Sequence, residues 1–481
     1  MNYKFKTKPF QHQKKALADS WSAQYYALFM EMGTGKSKVA IDTIAMLWQD
    51  NKINAALIIA PKGVYDNWVQ AEIPKHLPDN IETIIMKWMP SSAKKYQNEL
   101  SDFVFNKVNK LKVFVMNVEA LSTARGSHVA KVFLDKNPKN IAVVDESTTI
   151  KNRKAARTKT IIKLADRSEY RRILTGSPVT KSPMDLYSQC EFLSPRALKF
   201  SSYYAFQGRY ANIQQRTMGH RSFQQIVGYR RLDELNEKLN SFSNRVLKDD
   251  CLDLPDKIYM KRNVPLTAEQ WAVYAQMKAL ALARLENGDL ATTASVLTQI
   301  MRLQQICCGF LKTDEGEIQA VPCNRFRELL DIVEETQGKI IIWASFTHNI
   351  LQIVTELVKV YGADSVATYY GGTPQEERQQ IVENFQNKEH PLRFFVGQPK
   401  TGGYGITLHE ASTVIYFSNS YDLEIRLQSE DRAHRIGQTK SVTYIDLVSP
   451  KTIDEKILKA LRDKVDIASQ VLGEKTKTWL A

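Results

Sequence analysis

A chain of 481 residues has room for two or three domains, each with its own core. With 43% apolar and 25% charged residues it reads as a globular protein, and no apolar run approaches the roughly 20 residues of a membrane span. The formal net charge of +14 favours a polyanionic partner, most simply nucleic acid, although a diffuse solubilising surface also fits.

The start, Met1-Asn2-Tyr3-Lys4-Phe5-Lys6, has no apolar stretch behind its lysines, so the expectation is a cytoplasmic protein with no membrane partner. Next, Lys8-Pro9-Phe10-Gln11-His12-Gln13 opens a helical stretch. A glutamine ahead of a phosphate loop can read an adenine edge with its two-sided amide; an exposed polar helix start fits as well.

Tyr25-Tyr26-Ala27-Leu28-Phe29 reads as a short strand, followed by Met30-Glu31-Met32-Gly33-Thr34-Gly35-Lys36-Ser37 and then by apolar residues at helical spacing. In such a strand, glycine turn and helix, backbone N–H groups face phosphate oxygens and the helix start adds partial positive charge. Lys36 would reach the β- and γ-phosphates and Ser37 would ligate Mg²⁺. Met30 stands where the full pattern has glycine, and Gly-x-Gly-Lys-Ser by itself also fits a tight turn.

Ala55 to Ala60, Val113 to Met116 and Ile141 to Val144 are continuous apolar runs, as expected of strands buried on both faces of a parallel sheet. The last runs into Asp145-Glu146-Ser147-Thr148, at the strand end where α/β sheets bind ligands. Asp145 is placed to hold Mg²⁺, and Glu146 to orient or deprotonate the attacking water. Arg172-Ile173-Leu174 leads into Thr175-Gly176-Ser177-Pro178, either a plain turn or a segment coupling hydrolysis to motion.

From about 194 to 250 the alternation stops, and the region is expected to be a helical protrusion, with arginines among tyrosines and phenylalanines. That composition suits nucleic-acid stacking and also a solvated helical surface. A helical pair follows within about 265–310. Five cysteines fit no metal template, so neither zinc nor disulfides are expected. Strand–helix alternation then resumes through Lys339–Ala344, Val366–Tyr370, Arg393–Val396 and Thr413–Phe417.

The segment Arg426-Leu427-Gln428-Ser429-Glu430-Asp431-Arg432-Ala433-His434-Arg435-Ile436-Gly437-Gln438 settles the assignment. Arg432 and Arg435 share a helix face, and guanidinium groups presented to a nucleotide stabilise charge developing on the γ-phosphoryl. With this segment the chain resembles the Snf2-type branch of the superfamily 2 helicase-like ATPases, from about Pro9 to Leu461. Gln13, with Gln11 second, looks like the Q motif; Gly33 to Ser37 is motif I, and Ala60-Pro61-Lys62 with Trp68 is motif Ia. Motif II is Asp145 to Thr148, motif III Leu174 to Pro178, motif IV Ile340 to Phe346, motif V Lys400 to Leu408 and motif VI Gln428 to Gln438. Ser147-Thr148 replaces the usual Ala-His of motif II, and Tyr421-Asp422-Leu423 replaces the usual Trp-Asn-Pro.

The resemblance implies an α/β chain of two tandem RecA-like lobes with parallel sheets and helical insertions between motifs III and IV. The lobes are expected at 1–257 and 258–481, in a bare motor like bacterial or phage members. It implies catalytic roles for Lys36, Asp145, Glu146, Gln428, Arg432 and Arg435. ATP would be held by Gln13, Gly33, Thr34, Gly35, Lys36, Ser37 and Gly405, and Mg²⁺ by Ser37 and Asp145. Lys62, Lys400 and Thr401 would contact DNA phosphates. The expected activity is that of a monomeric DNA-dependent ATPase that translocates on double-stranded DNA and remodels protein–DNA complexes or branched DNA. A strand-separating helicase and an ATP-gated clamp are the alternatives.

Overall fold

The computed structural model describes residues 3–218, 221–286, 293–313, 315–402 and 406–474. Contacts divide the chain into two units. The first runs to Ile213, resumes over Ile226–Asp253 and takes in the segment from Ile467; the second is built on Leu254–Asp466, with Gln214–Gln225 counted to it.

In the first unit, helix α1 (Gln11–Ser20) precedes strand β1 (Tyr25–Met30), and helix α2 (Lys36–Gln49) follows it. Strands β2 (Ala55–Ala60), β3 (Thr83–Lys87), β4 (Leu111–Asn117), β5 (Asn140–Asp145) and β6 (Tyr170–Leu174) come next. A separate two-stranded sheet, β7 (Ala211–Met218) with β8 (Arg221–Tyr229), precedes the short strand β9 (Ser243–Val246). The main sheet has the order β3-β4-β2-β5-β6-β1-β9, and its pairings are parallel. Leu57 and Ile59 pack into one apolar cluster and Ile58 and Ala60 into another, so both faces of β2 are covered. That is why its sequence is apolar throughout rather than alternating.

Parallel pairing places every carboxyl end on one edge of the sheet. The order sets β5, β6 and β1 side by side, with Asp145 level with Leu174 and Leu174 level with Leu28. The loops after these three strands therefore leave the sheet together, the outer two about 10 Å apart.

The second unit contains β10 (Lys257–Asn263), a small antiparallel pair β11 (Phe310–Lys312) and β12 (Ile318–Ala320), then β13 (Lys339–Trp343), β14 (Val366–Tyr369), β15 (Phe394–Gly397), β16 (Ala411–Tyr416) and β17 (Val442–Val448). Its main sheet, β10-β17-β16-β13-β15-β14, is also parallel. Ile340 and Ile342 face one cluster and Ile341 and Trp343 the other. Helices Ala268–Glu286 and Thr293–Cys307 precede this sheet's central strands.

The region 194–250 differs from the helical protrusion expected of it. It holds helices Tyr203–Tyr210 and Leu232–Asn240, but also the β7–β8 hairpin and β9, which extends the main sheet. The hairpin strands mix amides and Arg216 with Ile213, Phe223, Ile226 and Val227 in no regular alternation, so they lack the pattern that announces a half-buried strand. Among the described residues no helix is long and apolar enough to cross a membrane.

Candidate active site

The loop after β1 is shaped by two glycines in the left-handed region, Gly33 at φ 82° and Gly35 at φ 89°. Gly35 caps α2, and Val39 N–H donates to its carbonyl at 3.1 Å as the helix's first bond. The amides of Lys36, Ser37 and Lys38 precede that bond and have no carbonyl within the helix to donate to, which suits an anion. Helix α1 braces the loop from behind. Buried Gln13 donates from Nε2 to Thr34 O at 3.0 Å, and its Oε1 accepts from Phe10 N–H at 3.0 Å. His12 Nε2 lies 2.8 Å from the same Thr34 carbonyl, and Thr34 Oγ1 donates to Glu31 O at 2.7 Å. Both ends of the Gln13 amide are thus engaged with backbone, while Gln11 is exposed.

Lys36 is buried, and its Nζ lies 3.6 Å from Glu146 Oε1. Beside this pair Asp145 is held by two donors. Trp68 Nε1–H reaches its Oδ2 at 2.8 Å, and the Glu146 amide reaches its Oδ1 at 2.9 Å. Burial pushes the Asp145 carboxyl above its ordinary range, opposed by the Lys36 charge and these two donors. Glu146 itself sits at φ 46°, an unusual backbone for a non-glycine residue, which turns the chain sharply as it leaves β5. The sequence reading brought Lys36, Asp145 and Glu146 to one place, and the structure does the same.

Two residues whose positions in this site the sequence did not disclose tie the motifs together. Gln189, fully buried on helix Leu186–Leu193, accepts from Ser147 Oγ at 2.7 Å and donates to Pro178 O at 2.9 Å. It links the third position of motif II to motif III directly. Arg245 on β9 donates to Gly176 O at 2.8 Å and Phe29 O at 3.2 Å, and lies 3.6 Å from Glu31 Oε1. Its Nε donates to Glu474 at 2.6 Å, and Glu31 Oε2 accepts from Lys248 N–H at 2.8 Å. One guanidinium thus fastens the base of the phosphate loop to the turn after β6.

In the second unit, helix Leu423–Glu430 carries Gln428 and leads into the two arginines. Arg432 is 2% exposed; its Nε donates to Gln428 O at 2.9 Å and its guanidinium to Ile406 O at 3.0 Å. Arg435, half-buried, donates to the same Ile406 carbonyl at 3.1 Å. A buried ionic cluster supports the helix. Arg426 pairs with Glu430 at 2.8 Å and Asp446 at 2.5 Å and stacks 3.5 Å from the centre of the Tyr416 ring. Gln428 Oε1 is buried with no hydrogen-bond partner among the described residues. Lys62 and Lys400 are exposed, and Thr401 is half-buried in the turn Pro399–Gly402 that packs over Trp343. Gly405 lies outside the described residues.

The donors fit the groups that the resemblance implies. A glycine-shaped cradle with unbonded amides and a lysine suits a triphosphate, and a hydroxyl with a carboxylate suits Mg²⁺, which takes few protein oxygens beside phosphate and water. Among the described residues no three His, Cys, Asp or Glu side chains form a metal cage of their own.

The SNF2-related domain matches residues 12–310, more than half of the chain, and the helicase conserved C-terminal domain matches residues 324–437. The chain belongs to the SNF2-related family. It is 26% identical over 467 residues to the SWI/SNF chromatin-remodeling complex subunit snf22 of Schizosaccharomyces pombe, covering 92% of this chain and 26% of that protein. It is 27% identical over 461 residues to the mouse DNA annealing helicase and endonuclease ZRANB3, covering 93% of this chain and 39% of that one. The chain therefore spans well under half the length of these relatives. A solved structure, the Sulfolobus solfataricus SWI2/SNF2 ATPase core in complex with dsDNA, is 24% identical over 98% of this chain and 94% of that one, with a TM-score of 0.43. In this SNF2-related chain both matched regions carry the motifs described above, and each is built on a parallel α/β sheet.

Proposed function

We propose that this SNF2-related chain is a DNA-dependent ATPase that moves along double-stranded DNA and remodels protein–DNA complexes or branched DNA. The observation that carries the reading is the buried Lys36–Glu146 pair beside Asp145, at the common edge of β1, β5 and β6. ATP would be held by Gly33, Thr34, Gly35, Lys36 and Ser37, with Gln13 behind the loop and Gly405 as a further contact. Bound Mg²⁺, held by Ser37 and Asp145, would supply charge neutralisation at the phosphates. Glu146 accepts a proton from, or orients, the attacking water. Gln428, Arg432 and Arg435 complete the catalytic set, the arginines answering charge on the γ-phosphoryl. Lys62, Lys400 and Thr401 contact DNA phosphates, contacts without sequence information and strongly weakened by salt.

Support comes from family membership and from residues of the right chemistry at each motif position. The test is hydrolysis by the full chain with and without duplex DNA, alongside triplex displacement. A translocase shows duplex-stimulated, salt-sensitive turnover and displaces the third strand. A clamp hydrolyses without displacement, and stimulation by RNA alone would replace the DNA reading with an RNA helicase.

A further inference from the structure

We infer that the β7–β8 hairpin is a DNA-reading ribbon that enters the major groove of duplex DNA. The inference rests on the DNA-motor reading above and adds to it a contact with base edges. Three features of the hairpin carry it.

The first is exposure over most of its length. Asn212 through Thr217 and Ser222 through Gln225 are exposed without alternation, and Ile213, Phe223 and Val227 are 36%, 47% and 43% exposed. A two-stranded ribbon so exposed is marginal in water, so its stability comes from its base, where Ile226 packs against the apolar core. There Arg230 N–H donates to Tyr210 O at 2.9 Å and its guanidinium to Gly208 O at 2.7 Å. Tyr210 is fully buried, with its hydroxyl donating to Glu234 at 3.0 Å. The base is anchored and the strands beyond it have no core to serve.

The second feature is side-chain chemistry. Asn212, Gln214, Gln215, Arg216, Gln224 and Gln225 bring carboxamides and a guanidinium to the exposed strands. Those groups bond the edges of adenine and guanine, and the major groove, about 12 Å wide, admits a two-stranded ribbon.

Third, the charge fits a polyanion. No Asp or Glu occurs between Glu191 and Asp233, whereas that interval holds Arg196, Lys199, Arg209, Arg216, Arg221, Arg230 and Arg231. A protein-docking ribbon would gather its apolar side chains into one patch. Here amides separate Ile213, Phe223 and Val227 along the strands.

The test measures binding of the full chain to a natural duplex and to the same sequence built with 7-deazapurines, which lack the N7 acceptor of the major groove. The wild type is expected to bind the deaza duplex about tenfold more weakly, one good bidentate contact's worth. A combined Arg216→Ala, Gln224→Ala, Gln225→Ala variant, checked for an unchanged thermal melt, should bind both duplexes alike, at the weaker level. Equal binding of both duplexes by the wild type overturns the groove assignment, as does a variant that keeps the discrimination. Loss of a protein partner by the variant with DNA binding intact also overturns it, in favour of a docking ribbon. If the wild type neither binds duplex nor responds to it in hydrolysis, the DNA-motor reading itself falls, a result distinct from the other three.

Discussion

A β-carbon built on Gly35 would lie 2.2 Å from Nε2 of Gln13, so the phosphate loop and α1 meet at the limit that glycine allows. Gly35→Ala adds a methyl at φ 89°, which costs about 1–2 kcal/mol of backbone strain, and drives Gln13 off the Thr34 carbonyl. The expected outcome is a lower melting temperature and at least tenfold weaker binding of a fluorescent ATP analogue. Gln13→Ala removes only the brace and should weaken binding less. Wild-type affinity in the Gly35 variant would show that the loop does not hold phosphate.

On the proposed reading Lys36 and Glu146, 3.6 Å apart, divide the work between binding and turnover. Glu146→Gln keeps the shape and removes the base, so ATP still binds while DNA-stimulated hydrolysis falls by about 10²–10⁴. Lys36→Ala removes a phosphate contact and should lose affinity as well. Single-turnover hydrolysis beside equilibrium binding separates the two. A Glu146→Gln enzyme within twofold of wild-type turnover would end the role assigned to that carboxylate.

How much of this was legible in the sequence follows from burial and from distance along the chain. Strands β2, β5 and β13 announced themselves because both faces are covered. The edge strand β3, with its residues half-buried, carried too weak a pattern, and so did β9, whose Ser-Asn-Arg-Val reads as loop. The hairpin was unreadable for the opposite reason, being exposed over residues 212–217 and 222–225. At the site, Lys36, Asp145 and Glu146 were legible because each follows a buried strand in a fixed local pattern. Gln189 and Arg245 were not legible as links, since their contacts join Ser147 to Gln189 and Gly176 to Arg245 across long stretches of chain. Spacing does not encode such pairings.

Asp145 gives a dependence on pH with a definite sign. Burial raises its pKa above 3.8, while the Lys36 charge and hydrogen bonds from Trp68 and the Glu146 amide pull the other way. On the proposed reading the ionised form is the one that would hold Mg²⁺, so turnover should rise with pH as the carboxyl loses its proton. Trp68→Phe deletes a donor to that carboxylate while keeping an aromatic ring. The pKa then moves further up, and the acid limb of the pH–rate profile shifts to higher pH. An acid limb that stays in place would mean that another group sets it.

Arg432 and Arg435 share the Ile406 carbonyl but differ in burial, and this predicts different losses. Arg432 is 2% exposed and also bonds Gln428 O, so Arg432→Ala takes the guanidinium donor from that carbonyl and leaves the Ile406 carbonyl with Arg435 alone. It should lower stability by about 2–3 kcal/mol and turnover together. Arg435 is half-buried, so Arg435→Ala should leave the thermal melt near that of the wild type. On the proposed reading its effect belongs to the transition state: turnover should fall by about 10³ or more while ATP affinity changes little. Lysine in its place restores the charge without the planar fork and should recover only a small part of the rate. An Arg435→Ala enzyme that loses nucleotide affinity in proportion to turnover would place this guanidinium in ground-state binding instead of on the transferring phosphoryl group.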